Sequence, residues 1–168
     1  MGRSYCGAAL KAIWKILLLA AGSIMRLTFY SDYSLRLLMY AALKPGQLIT
    51  IQEVAEAYGI SKNHLTKVAF DLGRAGFVET VRGRGGGLRL KKKPSEIGLG
   101  DVLRVTERQS VLVECFNPKT NSCAISAPCR LKGVLNRALK AYFAVLDEYT
   151  LDDLTDNNQT LSRLLLSA

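Results

Sequence analysis

Cys115, Cys123 and Cys129 hold the most evident chemistry in this chain: three of its four cysteines lie within fifteen residues, spaced C-x7-C-x5-C. Two prolines, two asparagines, two serines and a threonine separate them, a turn-forming composition that places the thiols on a loop. A thiolate is a soft anionic ligand. Several converging on one point suit zinc, copper(I) or an iron-sulfur cluster, and three of them leave one coordination position to another donor. The spacing lacks the paired CxxC signature, so three incidental thiols, or a disulfide beside one free cysteine, are the plain alternatives. Pro128 suits the first position of the helix-forming run that follows it. Cys129 is therefore predicted in the first turn, where the positive helix end favours thiolate.

A second chemistry is electrostatic. Lys and Arg outnumber Asp and Glu by 23 to 14, and Arg82, Arg84, Arg89, Lys91, Lys92 and Lys93 fall within twelve residues. A basic cluster of this density suits a polyanion, most simply nucleic acid, against the plain alternative of a solvated charged face. Here it straddles Arg82-Gly83-Arg84-Gly85-Gly86-Gly87, set between the strand-forming runs Phe77 to Val81 and Leu88 to Leu90. The pattern predicts a hairpin whose glycines let backbone approach DNA and whose arginines enter a narrow minor groove. A nucleotide-binding phosphate loop is excluded by order, since the glycines join two strands and no Gly-Lys-Ser/Thr follows. No catalytic constellation is present: there is one histidine, no nucleophile motif and no paired-carboxylate site.

The elements that must position these groups are read in chain order. Leu35, Leu38, Met39 and Ala42 recur at helical spacing between Ser31 and Lys44, and Pro45-Gly46 stops the run. Thr50-Ile-Gln-Glu53 has the form of a capping box and opens a second helix, Ile51 to Tyr58. Gly59 ends it, and Ser61 is placed to cap a third helix running to about Ala75. Two helices joined by so short a glycine turn form a helix-turn-helix. In the third helix Leu65, Val68 and Leu72 make the inward stripe. Ser61, Lys62, Asn63, His64, Thr66 and Lys67 are left to face outward, and of these Asn suits adenine while Lys suits guanine or phosphate. His64 is assigned to the surface or to DNA, not to a metal.

Asp101 to Arg108 reads as a short connecting helix. Beyond the cysteines, Leu131, Val134, Leu135, Ala138, Tyr142, Val145, Leu146 and Tyr149 keep one apolar stripe, which predicts a long helix packed against a second copy; packing on its own domain is the alternative. The tail 150 to 168 adds a short helix ending at Leu164-Leu165-Leu166. The fold class is mainly α with a small β-hairpin: a winged helix-turn-helix domain (25–110), a cysteine loop (111–129), and a dimerisation helix with its tail (130–168). Residues 1–24 carry Arg3 and Lys11 ahead of the apolar run Ile16 to Ala21, in the manner of a short secretory signal. Lys15 and the shortness of the run argue against a membrane span. They are taken as an extension ahead of a functional start at Met25, with Cys6 incidental, in a cytoplasmic protein.

From Met25 to about Leu166 the chain resembles a family of small bacterial winged-helix repressors that carry iron-sulfur clusters. The resemblance rests on Leu27-Thr28, Ser31-Asp32-Tyr33-Ser34-Leu35-Arg36, Ser61-Lys62-Asn63-His64, the stretch Arg82 to Leu90 and Pro128-Cys129-Arg130-Leu131-Lys132. Tyr149-Thr150-Leu151-Asp152-Asp153-Leu154 is more like its nitric-oxide-sensing branch than its cluster-assembly regulators. The resemblance implies a 4Fe-4S or 2Fe-2S cluster on Cys115, Cys123 and Cys129, with Asp32 of the partner subunit as a fourth ligand. It also implies a homodimer on double-stranded operator DNA, with nitric oxide as the signal. The gap between the first two cysteines is longer than the family's. A carboxylate such as Asp32 in a first helical turn is stabilised by the helix dipole without any metal. A regulator of cluster assembly, a zinc-binding or thiol redox repressor, and a small iron-sulfur electron carrier are the competing functions; the last would have no use for the wing.

Overall fold

The computed structural model describes residues 27–107 and 111–166; the proposed extension, the start at Met25, Cys6 and Arg108 lie outside them. Helix α1 (Phe29–Ala42) is capped by Thr28, whose side chain accepts from the Ser31 amide. Its buried face is not the Leu35, Met39 and Ala42 edge of the predicted stripe, which is half-buried. Leu38 of that stripe goes inward as predicted, together with Ser31, Ser34, Leu37, Tyr40 and Ala41. Two serines are tolerated there because each hydroxyl is satisfied: Ser34 donates to the Tyr30 carbonyl at 2.8 Å and Ser31 to the Glu107 carboxylate, with Thr106 Oγ1 2.8 Å away.

Helix α2 (Ile51–Tyr58) starts at the predicted capping box. The Glu53 amide donates to Thr50 Oγ1 at 3.1 Å, and the Thr50 amide donates back to Glu53 Oε2 at 2.5 Å. It stops at Gly59, which supplies a left-handed residue at φ 63°. After the turn comes α3 (Lys62–Arg74), whose Leu65, Val68 and Leu72 are buried as the pattern requires. Ser61 occupies its N-cap position but makes no side-chain capping bond, contrary to expectation.

Strands β1 (Val78–Val81) and β2 (Gly87–Leu90) pair antiparallel, with Val78 opposite Leu90 and Val81 opposite Gly87. The hairpin is widened by a single-residue bridge that the sequence reading missed: Ile49 and Leu88 exchange backbone hydrogen bonds at 2.9 and 2.8 Å. This explains Gly87, where a Cβ would lie 2.5 Å from the Ile49 carbonyl oxygen. Gly86 is equally constrained, because a Cβ there would meet the Val81 oxygen at 2.4 Å.

A 3-10 turn (Pro94–Glu96) leads into α4, which spans Leu99–Thr106 and so begins two residues before the predicted Asp101. A second 3-10 turn (Glu114–Phe116) opens the cysteine loop, and α5 follows over Arg130–Asp147. The tail forms two helices where one was expected, α6 (Leu151–Thr155) and α7 (Gln159–Leu166). Both return to the winged-helix core: Leu151 is fully buried and Leu165 nearly so, in one cluster with Leu37, Leu38, Val54, Leu65 and Val102. The chain around Gly98 pairs with Thr150, and the Leu151 amide donates to the Ile97 carbonyl at 2.8 Å. These long-range pairings pin α6 beside α1 and the 3-10 turn Pro94–Glu96.

Candidate nucleic-acid interface and cysteine loop

The first turns of α3 present Ser61, Lys62, Asn63, His64, Thr66 and Lys67, all exposed. Anchoring comes from the buried opposite face, so these side chains project from a fixed helix. Thr66 spends its hydroxyl on the Lys62 carbonyl at 2.8 Å, leaving Asn63 and the two lysines as the freer polar groups. His64 is steadied from α1, where the Tyr33 ring stacks on it. Tyr30 adds a second tie between the same helices by donating its hydroxyl to Asp71. Burial, reinforced by that carboxylate, pushes the Tyr30 phenol well above its ordinary pKa.

The wing carries Arg82 and Arg84 at its exposed tip, where Gly83 and Gly85 take positive φ of 105° and 76° and form the turn. Arg89 is placed differently. Its Nε lies 2.6 Å from Glu79 Oε1 on the facing strand, in the cross-strand register of the hairpin, so it braces the wing. The wing therefore offers two free arginines and one held guanidinium. Lys91, Lys92 and Lys93 continue the exposed basic surface past the end of β2.

From residue 117 to 126 the cysteine loop is braced by its own polar side chains. The Lys119 amide donates to Asn117 Oδ1 at 3.0 Å and the Cys123 amide to Asn121 Oδ1 at 3.1 Å, two turns closed by asparagine. Lys132 Nζ reaches from α5 to Ser126 Oγ at 3.3 Å. Cys115, Cys123 and Cys129 are each half-buried and free of disulfides. Cys129 is the N-cap of α5, one position before the expected first turn, because the helix begins at Arg130 and leaves Pro128 outside it. Among the described residues of one chain, no three His, Cys, Asp or Glu side chains stand together as a metal-holding group. Asp32 sits in the first turn of α1 and forms an ion pair with Arg36 at 2.9 Å.

One further residue escaped the sequence reading. Glu107, at the end of α4, accepts from the Thr28 amide at 2.9 Å, from the Thr28 hydroxyl at 2.8 Å and from the Ser31 hydroxyl. It thereby fastens the start of α1, where Asp32 lies, to the segment that leads into the cysteine loop. The carboxylate and its Thr28 partner are 79 residues apart, where no local pattern links them.

An anchored helix-turn-helix with an exposed polar first turn, flanked by a basic glycine hairpin, defines a winged-helix DNA-binding regulator. The chain belongs to the Rrf2 family, whose model, described as "Iron-dependent Transcriptional regulator", matches residues 27–157. It is 55% identical over 142 residues to the HTH-type transcriptional regulator NsrR of Bacillus subtilis, covering 84% of this chain and 97% of that one. With NsrR of Halalkalibacterium halodurans the identity is 54% over 142 residues, at the same shares of each chain. Among solved structures, Staphylococcus aureus CymR matches with a TM-score of 0.60 at 29% identity, over 77% of this chain and 97% of that one. The chain is thus a transcriptional regulator and not an enzyme, and no helix among its described residues is long and apolar enough to cross a membrane.

Proposed function

We propose that this protein is a dimeric repressor that holds operator DNA through α3 and the wing, and that nitric oxide releases it. The observation that carries the reading is the joining of two sites in one chain. An exposed, firmly positioned reading helix shares its fold with three half-buried, unbridged thiols at the head of α5. The donor set suits an iron-sulfur cluster: three thiols on a polar loop, with the carboxylate of Asp32 of the partner subunit as the remaining donor. When bound, such a cluster supplies iron atoms that nitric oxide ligates. The residues of this chain do the rest. Glu107 ties the loop's approach to α1, Tyr33 and Tyr30 tie α1 to α3, and α5 carries the exposed apolar edge that meets a second copy.

Anaerobic purification with iron and sulfide counts, followed by operator titration before and after nitric oxide, tests the proposal. The loaded protein is expected to bind operator about a hundredfold more tightly than either the treated protein or Cys123→Ala, which corresponds to about 2.7 kcal/mol. Equal binding by all three would remove the switch. Zinc in place of iron and sulfide would replace it with a different sensor chemistry.

A further inference from the structure

Helix α5 is anchored to its own domain in an unusual manner: none of its residues is fully buried, so no packed core position sets its direction. Its main neighbour is α4. The contact includes a polar, directional pair. Arg104 of α4 forks onto Asp147 in the last turn of α5, Nη1 to Oδ1 at 2.7 Å and Nη2 to Oδ2 at 2.6 Å. A bidentate pair of this kind fixes orientation as well as distance. The same guanidinium lies 4.8 Å from the centre of the Phe143 ring, one turn earlier on α5. Asp101 flanks it at 3.4 Å.

Gly100 completes the arrangement. It sits inside α4, where glycine is a poor helix former, yet a Cβ there would lie 1.9 Å from Asp147 Oδ1 and 3.0 Å from Arg104 Nη1. The missing side chain is the space the carboxylate occupies. Immediately after the bridge the chain is stitched back by backbone bonds, with Leu99 N donating to the Tyr149 carbonyl at 3.0 Å.

We infer that the Arg104–Asp147 bridge, seated over Gly100, sets the angle at which α5 leaves the DNA-binding domain, and so selects the half-site spacing that a dimer accepts. The inference rests on the dimeric DNA-binding reading above. Leverage gives it consequence. An 18-residue helix is about 27 Å long, so a swing of about 10° at one end moves the other by roughly 5 Å. That exceeds the rise of one base pair, about 3.4 Å, and each base pair also turns a half-site by about 34°. A loosened bridge lets one dimer reach several spacings; the intact one holds a single register.

The test uses full-length protein and three variants: Arg104→Lys, which keeps the charge but loses the fork; Asp147→Asn; and Gly100→Ala, which alters no charge but crowds the carboxylate. The probes are an operator selected by the wild type from random duplexes, the same operator with one base pair inserted or removed between half-sites, and an isolated half-site. Wild type is expected to lose about tenfold on the altered spacings. In each variant that penalty should shrink to about twofold, with half-site affinity and dimerisation unchanged. A general loss of stability would lower half-site affinity and leave the spacing penalty intact. Folded, dimeric variants that keep the wild-type penalty overturn the role of the bridge while leaving the proposed function standing. A wild type that sediments as a monomer overturns that reading and this inference together.

Discussion

The Tyr33 ring of α1 stacks on the His64 imidazole of α3, with centroids 6.2 Å apart and planes inclined at 30°. Phe29 extends the ladder, its ring 6.1 Å from that of Tyr33. The start of α1, which carries Asp32, is thereby in contact with the first turn of the reading helix, next to Asn63. Position and base contact are separate roles here, and two substitutions separate them. Asn63→Ala is expected to cost roughly 1 to 3 kcal/mol on operator DNA and little on random-sequence DNA, because only a base contact discriminates. Tyr33→Ala, which removes the ring that supports His64, should reduce operator affinity less, and Tyr33→Phe should restore it by restoring the ring. Side-by-side titrations on the two DNAs decide the matter; an equal loss on both for Asn63→Ala would refute base reading.

The wing arginines are not equivalent. Arg82 is exposed at the tip, whereas Arg89 already has Glu79 as a partner at 2.6 Å. A lost phosphate contact lowers the log-log salt dependence of binding by about one unit. Arg82→Ala is expected to show that change and Arg89→Ala a smaller one, with Glu79→Gln freeing Arg89 and steepening the dependence. Affinities measured across a salt series check the order, and identical slopes for the two alanine variants would contradict it.

Local chemistry accounts for what the sequence made legible. The Thr50–Glu53 box, the Gly59 stop, the Leu65–Val68–Leu72 stripe and the glycine wing each depend on residues within a turn or two, and each stands where it was expected. The errors share a different cause. Ser31 and Ser34 look like surface positions until their partners at Thr106 and Tyr30 are in place. The Ile49–Leu88 bridge, the Glu107 anchor and the burial of Leu151 and Leu165 all join segments far apart in the chain, where no periodicity marks them. The cysteine loop was legible as a donor set but not as a geometry. Its turns are closed by Asn117 and Asn121, which hold the thiol-bearing segments without bringing three ligands together in one chain.

The capping box gives a pH-dependent prediction. Hydrogen bonding from the Thr50 backbone amide, helped by Lys44 at 3.2 Å and the Thr50 hydroxyl and opposed by partial burial, holds the Glu53 carboxyl below its usual range. A carboxylate depressed by folding contributes stability above its unfolded pKa and loses it as pH falls through its folded pKa. The stability gap between wild type and Glu53→Gln should therefore be full at neutral pH and close as pH drops below about 4. Thr50→Ala, which removes the other half of the box, is expected to cost about 1 kcal/mol. Urea unfolding at several pH values checks both, and a Glu53→Gln gap independent of pH would contradict the assignment.

One edge of α5 is proposed to meet a second copy. The structure divides the predicted apolar stripe in two. Leu135, Tyr142 and Leu146 are half-buried, and burial, with Glu107 nearby, raises the Tyr142 phenol pKa. Leu131, Val134, Ala138 and Val145 are exposed, and with Ala141, which the predicted stripe did not include, they recur at alternating steps of three and four residues. That repeat suits a seam of two helices packing side by side, with central alanines that would let the backbones approach closely. Val134 at 59% and Val145 at 56% exposure are apolar surface with no partner in the chain's own core. Val134→Asp with Val145→Asp should therefore dissociate the dimer while leaving the helical content and the melting of the winged-helix core nearly unchanged. Leu135→Asp with Leu139→Asp, at half-buried positions, should lower the melting temperature as well. Sedimentation and thermal unfolding of the two double variants separate these effects. If the Val134/Val145 variant stays dimeric, the interface lies on another face of the molecule.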